Sequence, residues 1–128
     1  LKLLLDTQVW LWSLVSPERL SSTAAGLLAD TDNELFLSAA SCWEIAIKYQ
    51  LGKLVLPEEP EPFIGSRLLR DGIRGLPVTI QHASRVSRLP LHHRDPFDRL
   101  LISQTQSEGL ILVSADPVFA RYGIELLS

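Results

Sequence analysis

Two short stretches, Leu3-Leu4-Leu5 and Leu110-Ile111-Leu112-Val113, are apolar at every position, and no other feature narrows the possible folds so far. A strand with one wet face alternates apolar and polar residues, so an unbroken apolar run reads as a strand covered on both sides. Around these runs the spacing turns helical. Residues 7–15 carry Val9, Trp10, Leu14 and Val15 on a helical repeat that stops at Ser16-Pro17. Residues 20–30 repeat the pattern with Ala24, Ala25, Leu27 and Leu28, behind a cap at Ser21 or Ser22. A turn at Asp32-Asn33 then leads to a second strand at 35–38.

Residues 41–51 form a helix bearing Trp43, Ile45, Ala46, Ile47 and Tyr49, with Gly52 as its stop. The proline-rich, acidic stretch 54–62 is a surface connection, and 63–69 starts another helix. A third short strand falls at 75–78, a short helix at 81–88 and a loop at 89–96. Beyond it come a helix over 97–108 ended by Gly109, the strand 110–113, a helical turn at 117–121 and a last strand at 124–126. Strands alternating with helices require parallel crossovers. The expected architecture is therefore one α/β domain over residues 1–128, with three layers around a mainly parallel sheet of four or five strands. Such sheets bind their ligands outside the carboxyl ends of the strands.

Bulk properties set boundaries. A chain of 128 residues that is 46% hydrophobic can bury a sizeable core without staples. Cys42 is the only cysteine, so no disulfide forms within the chain; it reads as a small buried apolar residue in a reducing cytoplasm. The apolar opening stops at Asp6, short of the run of about 7–15 residues that a signal peptide needs. No run reaches the roughly 18 residues of a membrane span, so a cytoplasmic protein without membrane association is expected. The net charge of −3 is unevenly spread: four Lys/Arg against nine Asp/Glu in residues 1–64, eight against six in residues 65–128. Arginines of the second half, including Arg94 and Arg99, would make charge-assisted bonds to phosphate if they faced a nucleic acid.

Four acids fall where the sheet rule points. Asp6 follows the first strand, Glu44 opens the helix after the second, Asp98 opens the helix before 110–113, and Asp116 follows that strand. Each has an ordinary structural reading. Ser41-Cys42-Trp43-Glu44 matches a capping box, while Asp95-Pro96 and Asp116-Pro117 are N-cap and N1 pairs. Caps, however, need no convergence. Four carboxylates in one place repel and raise one another's pKa values unless a cation sits among them. Mg2+ or Mn2+ takes hard oxygen ligands and can activate water against a phosphodiester. Asp98 is preferred as the third ligand because Asp95 is better used as the cap, from which it could still accept from metal-bound water.

The segments around these acids resemble the PIN-domain family, in its VapC-type toxin branch. They are Leu3-Leu4-Leu5-Asp6-Thr7, Ser38-Ala39-Ala40-Ser41-Cys42-Trp43-Glu44-Ile45-Ala46-Ile47-Lys48, Gly52-Lys53-Leu54, His93-Arg94-Asp95-Pro96-Phe97-Asp98-Arg99-Leu100-Leu101-Ile102 and Leu112-Val113-Ser114-Ala115-Asp116. These five segments, in order, span nearly the whole chain; Gln8 stands where relatives often carry His. The resemblance implies an α/β/α fold and Mg2+- or Mn2+-dependent endoribonuclease activity that blocks translation. It also implies a homodimer, inhibited by a VapB-type antitoxin whose C-terminal segment enters the active-site groove.

On this chain the resemblance makes Asp6, Glu44, Asp98 and Asp116 the catalytic, metal-holding set, with Thr7 and Ser114 as hydroxyls that orient them. Lys48, one turn beyond Glu44, pairs with the carboxylates or meets phosphate, and Arg94 and Arg99 hold the RNA backbone. Trp10, Trp12 and Trp43 read as core or subunit-interface packing rather than base-stacking platforms, and His92 and His93 as inert loop residues. A receiver-type signalling domain would need a lysine after the last strand, and none follows Leu126. An aspartyl phosphatase would need a second Asp at the position of Gln8. The remaining alternative is a catalytically silent PIN-like module that binds RNA or protein.

Overall fold

The computed structural model describes residues 1–128. Its centre is a five-stranded sheet in the order β3-β2-β1-β4-β5. The strands are β1 (Lys2–Leu5), β2 (Glu34–Ser38), β3 (Arg74–Leu76), β4 (Ile111–Val113) and β5 (Leu126–Leu127). Every pairing is parallel, so each return crosses a face of the sheet. The crossovers carry α1 (Thr7–Val15), α2 (Ser22–Ala29), α3 (Ala39–Gln50), α4 (Pro60–Asp71), α5 (Ile80–Arg85) and α6 (Pro96–Glu108).

Leu3, Leu4 and Leu5 are each fully buried, as an all-apolar central strand requires. Leu3 and Leu5 face one core, where Val9 and Trp10 of α1, Ile45 of α3 and Phe63 of α4 pack. Leu4 faces the other with Leu112, Leu101 and Ile102 of α6, and Phe119. Successive side chains of a strand point to opposite faces, so one tripeptide anchors both helical layers. Each such leucine contributes about 1.5–3 kcal/mol by leaving water.

Several boundaries differ from the sequence expectation. α3 begins at Ala39 rather than 41, because the Ser38 hydroxyl caps it by accepting from the Ala40 N–H at 3.0 Å. Ser41 is thereby inside the helix, and the capping box with Glu44 does not form. α4 begins at Pro60, taking up the end of the expected linker. The last strand starts at Leu126, since Leu126 and Leu127 are the residues in register with Leu112 and Val113. Cys42 is half-buried rather than buried; desolvation raises its thiol pKa.

The chain leaves β1 towards β2 and β3, then returns to the opposite side of β1 to lay down β4 and β5. The strand order therefore reverses between β1 and β4. Loops leaving these two carboxyl ends diverge to opposite sides and open a crevice between them. Asp6 and Ser114 are the first residues beyond those ends.

Candidate metal centre

A cleft of about 680 Å³ opens at this reversal and is lined by Asp6, Glu44, Asp95, Asp98 and Asp116 together. β1 delivers Asp6, whose N–H donates to the Val113 carbonyl at 3.0 Å and so pins it beside β4. Asp6 sits at the N-cap position of α1 but makes no side-chain cap bond. Its carboxylate instead accepts from the Ser114 hydroxyl at 2.7 Å. The same Ser114 oxygen accepts from the Asp116 N–H at 3.1 Å, tying the two acid-bearing loops together.

Glu44 is buried on α3, and its Oε2 accepts from Lys48 Nζ at 2.9 Å, one helical turn along. Released from any capping duty, this carboxylate is available to the cleft. Asp98 stands in the first turn of α6, where the cap is Asp95, accepting from the Phe97 and Asp98 N–H groups at 2.9 and 3.1 Å. Asp116 does cap, accepting from Val118 N–H at 3.0 Å, so its position serves both readings.

Electrostatics register the crowding. Burial raises the Asp6 pKa, Ser114 opposes the rise, and Glu44 and Asp116 add to it. Asp98 is pushed up to about 7, first by burial and then by Asp95, Asp6, Glu44 and Asp116. Lys48 is held above its ordinary value chiefly by its bond to Glu44. Such a carboxylate cluster suits a hard cation, the donor set of Mg2+ or Mn2+. No three of the side chains stand close enough to make a finished cage. Mg2+ does not require one, since it is commonly held through one or two carboxylates and keeps several waters.

Other expected site residues are placed differently. Thr7 does not reach a carboxylate: its hydroxyl donates to Ser41 Oγ at 2.8 Å, fastening α1 to α3. Arg99 is buried, and its guanidinium donates to the carbonyls of Val86, Leu89 and Pro90. It organises the loop before α6 and cannot hold substrate. Arg94 is exposed beside Asp95 but does not line the cleft. The cations that do line it, besides Lys48, are Arg19 and Lys53. Lys53 was visible in the Gly52-Lys53-Leu54 motif; Arg19, on a one-turn 3-10 helix (Pro17–Arg19), carries no sequence signal of its place.

Trp10 is core, Trp12 lines the cleft, and Trp43 is 60% exposed with its ring edge-on to Phe97. His93 is not an isolated loop residue: its Nε2 lies 3.4 Å from Asp98 Oδ2. Its place five residues before Asp98 in sequence is the one signal that could have revealed it.

The fold and the acidic cleft define a class, parallel α/β domains that gather carboxylates at the reversal of strand order. The chain belongs to the PIN-domain family, whose model matches residues 3–125. It is 42% identical over 62 residues to Ribonuclease VapC16 of Mycobacterium tuberculosis, a match taking in 48% of this chain but only 43% of that relative. The fold is similar to VapBC2 from Rickettsia felis bound to a promoter DNA fragment, with TM-score 0.73 and 17% identity over 99% of this chain and 98% of that one. FitAcB from Neisseria gonorrhoeae is similar at TM-score 0.66 and 17% identity, over 98% and 96%. At these identities the structural likeness bears on fold alone.

Proposed function

We propose that this chain is a Mg2+- or Mn2+-dependent endoribonuclease, the toxin of a VapBC-type module, which blocks translation by cutting RNA. The observation that carries the reading is the gathering of Asp6, Glu44, Asp98 and Asp116 in one cleft at the reversal between β1 and β4. Asp6, Asp98 and Asp116, with Glu44 beside them, would hold the cation. When bound, the metal supplies an activated water and charge to offset that of the phosphodiester. Ser114 keeps the Asp6 carboxylate turned into the site, and Asp95 holds the first turn of α6 so that Asp98 faces the others. Lys48 offsets the charge of Glu44. Arg19 and Lys53 hold the RNA backbone at the cleft, and Arg94 extends that contact along the loop.

The same cleft has an apolar wall that includes Leu11, Trp12, Val15 and Leu54. An apolar wall beside an acidic floor suits an amphipathic, basic peptide, which is how a VapB-type antitoxin's C-terminal segment would occupy it. The toxin reading also carries a homodimer and a cytoplasmic setting; no helix is long and apolar enough to cross a membrane.

Incubating the purified chain with labelled RNA, with Mn2+ or with chelator, tests the proposal. Metal-dependent cleavage, lost in Asp6→Asn and Asp98→Asn proteins that remain folded, is expected. Full cleavage by folded Asp6→Asn, or in chelator, overturns it. The alternative is a silent module that binds RNA or protein. It predicts RNA binding without cutting at any metal concentration.

A further inference from the structure

His93 is wedged between the two segments that carry Asp98 and Asp116. Its Nδ1 lies 2.6 Å from the Tyr122 hydroxyl, and its Nε2 is turned to Asp98 Oδ2 at 3.4 Å. The ring is also edge-on to Phe119, with centroids 6.0 Å apart. Phe119 and Tyr122 are buried and belong to the 3-10 turn (Pro117–Tyr122) that Asp116 opens. The imidazole is thus locked in place by the Asp116 segment while its free nitrogen faces the carboxylate of α6. That nitrogen is buried and has no hydrogen-bond partner of good geometry. A buried polar atom without a partner is uncommon and calls for an explanation.

The two partners of the ring favour one tautomer. A tyrosine hydroxyl donating to Nδ1 leaves the hydrogen of neutral imidazole on Nε2, pointed at Asp98. The opposite tautomer would set a lone pair against the ionised Asp98 carboxylate, the form that binds a cation. At 3.4 Å the contact is long for a hydrogen bond.

We propose that His93, oriented by Tyr122, is a positioning residue that aims the Asp98 carboxylate for cation binding, coupling it to the Asp116 turn. The inference rests on the metal-site reading above. Outer groups that orient a metal's ligands commonly govern affinity by about 10–100-fold.

The test measures Mn2+ affinity by calorimetry on the full chain, with RNA cleavage and thermal unfolding followed in parallel. His93→Phe keeps the packing against Phe119 and removes the N–H; it is expected to weaken Mn2+ binding about 10–100-fold while unfolding cooperatively. His93→Gln, whose amide N–H reaches the place of Nε2, should restore most of that affinity, and Tyr122→Phe should fall between. Wild-type Mn2+ affinity in His93→Phe overturns the proposal while leaving the metal site standing. A His93→Gln protein as weak as His93→Phe also overturns it, by assigning the effect to packing. Should His93→Phe not fold, undiminished affinity in Tyr122→Phe is the overturning result. A wild-type chain that neither binds Mn2+ nor cleaves RNA removes the metal reading and this inference with it.

Discussion

The Ser114 hydroxyl donates to Asp6 Oδ2 at 2.7 Å across 108 positions of sequence, joining the carboxyl ends of β4 and β1 at the point where the strand order reverses. Both residues are buried, so the bond acts where water cannot replace it. It also opposes the rise in the Asp6 pKa that burial causes.

Ser114→Ala should therefore act on stability and on the site at once. A hydrogen bond to a charged group is worth about 1.5–3 kcal/mol, and a loss in that range is expected in denaturant unfolding. Asp6 should hold its proton to higher pH, so the loss of Mn2+ binding on acidification should set in at higher pH than in the wild type. Unchanged stability and an unchanged pH profile of binding would show that the bond does neither.

Asp98 makes stability depend on pH in a defined direction. Its pKa is about 7 in the fold against an ordinary 3.8, so the folded chain binds the proton more readily than the unfolded one. The stability is fully present below the unfolded value and is lost as pH rises through the folded one. Without divalent cation, Tm should fall between about pH 4 and about pH 7. Asp98→Asn should flatten the slope without removing it, because Asp6 is raised as well. Mg2+ should restore Tm at the upper end, since binding needs the ionised carboxylate. A pH-independent difference between the two proteins would contradict the assignment.

Arg99 is a structural cation. Replacing it with Met leaves the carbonyls of Val86, Leu89 and Pro90 short of a donor. The expected loss is about 2–4 kcal/mol, from the orphaned acceptors and the missing packing. In the fraction that stays folded, KM for RNA should be unaltered; a raised KM with unchanged stability would return Arg99 to the substrate.

Arg19 and Lys53 make the complementary case. Changing either to Ala should leave Tm nearly untouched while weakening RNA binding, and each should reduce the salt dependence of binding by nearly one counterion. Gel-shift titrations in inactive Asp6→Asn at several salt concentrations would measure this. An unaltered salt slope in both variants would place the RNA elsewhere.

Much of this architecture is written locally. Leu3-Leu4-Leu5, short and apolar throughout, is the covered strand it reads as, and residues 7–15 become α1 with both ends as expected, since the apolar spacing and Ser16-Pro17 act within a turn or two. Asp95 and Asp116 cap as their proline neighbours indicate. Glu44 shows where local signals mislead. Ser38 and Ser41 are both competent caps, and the choice falls to Ser38 because the helix must start directly at the end of β2, with Ser41 held by Thr7.

The amino-acid order on its own determined the parallel α/β scaffold, with Asp6 and Asp116 after strands and Asp98 in a first helical turn, because periodicity, caps and turns are short-range properties; Glu44, expected to open its helix, stands sixth in α3. Only the tertiary structure decided which charges meet. Arg99 went to the loop carbonyls, Arg19 and Lys53 to the cleft, and His93 to Asp98, since those outcomes depend on how separate loops pack over one end of the sheet. A charged side chain's partner is set by distance and desolvation in three dimensions, and neither is encoded in its neighbours along the chain.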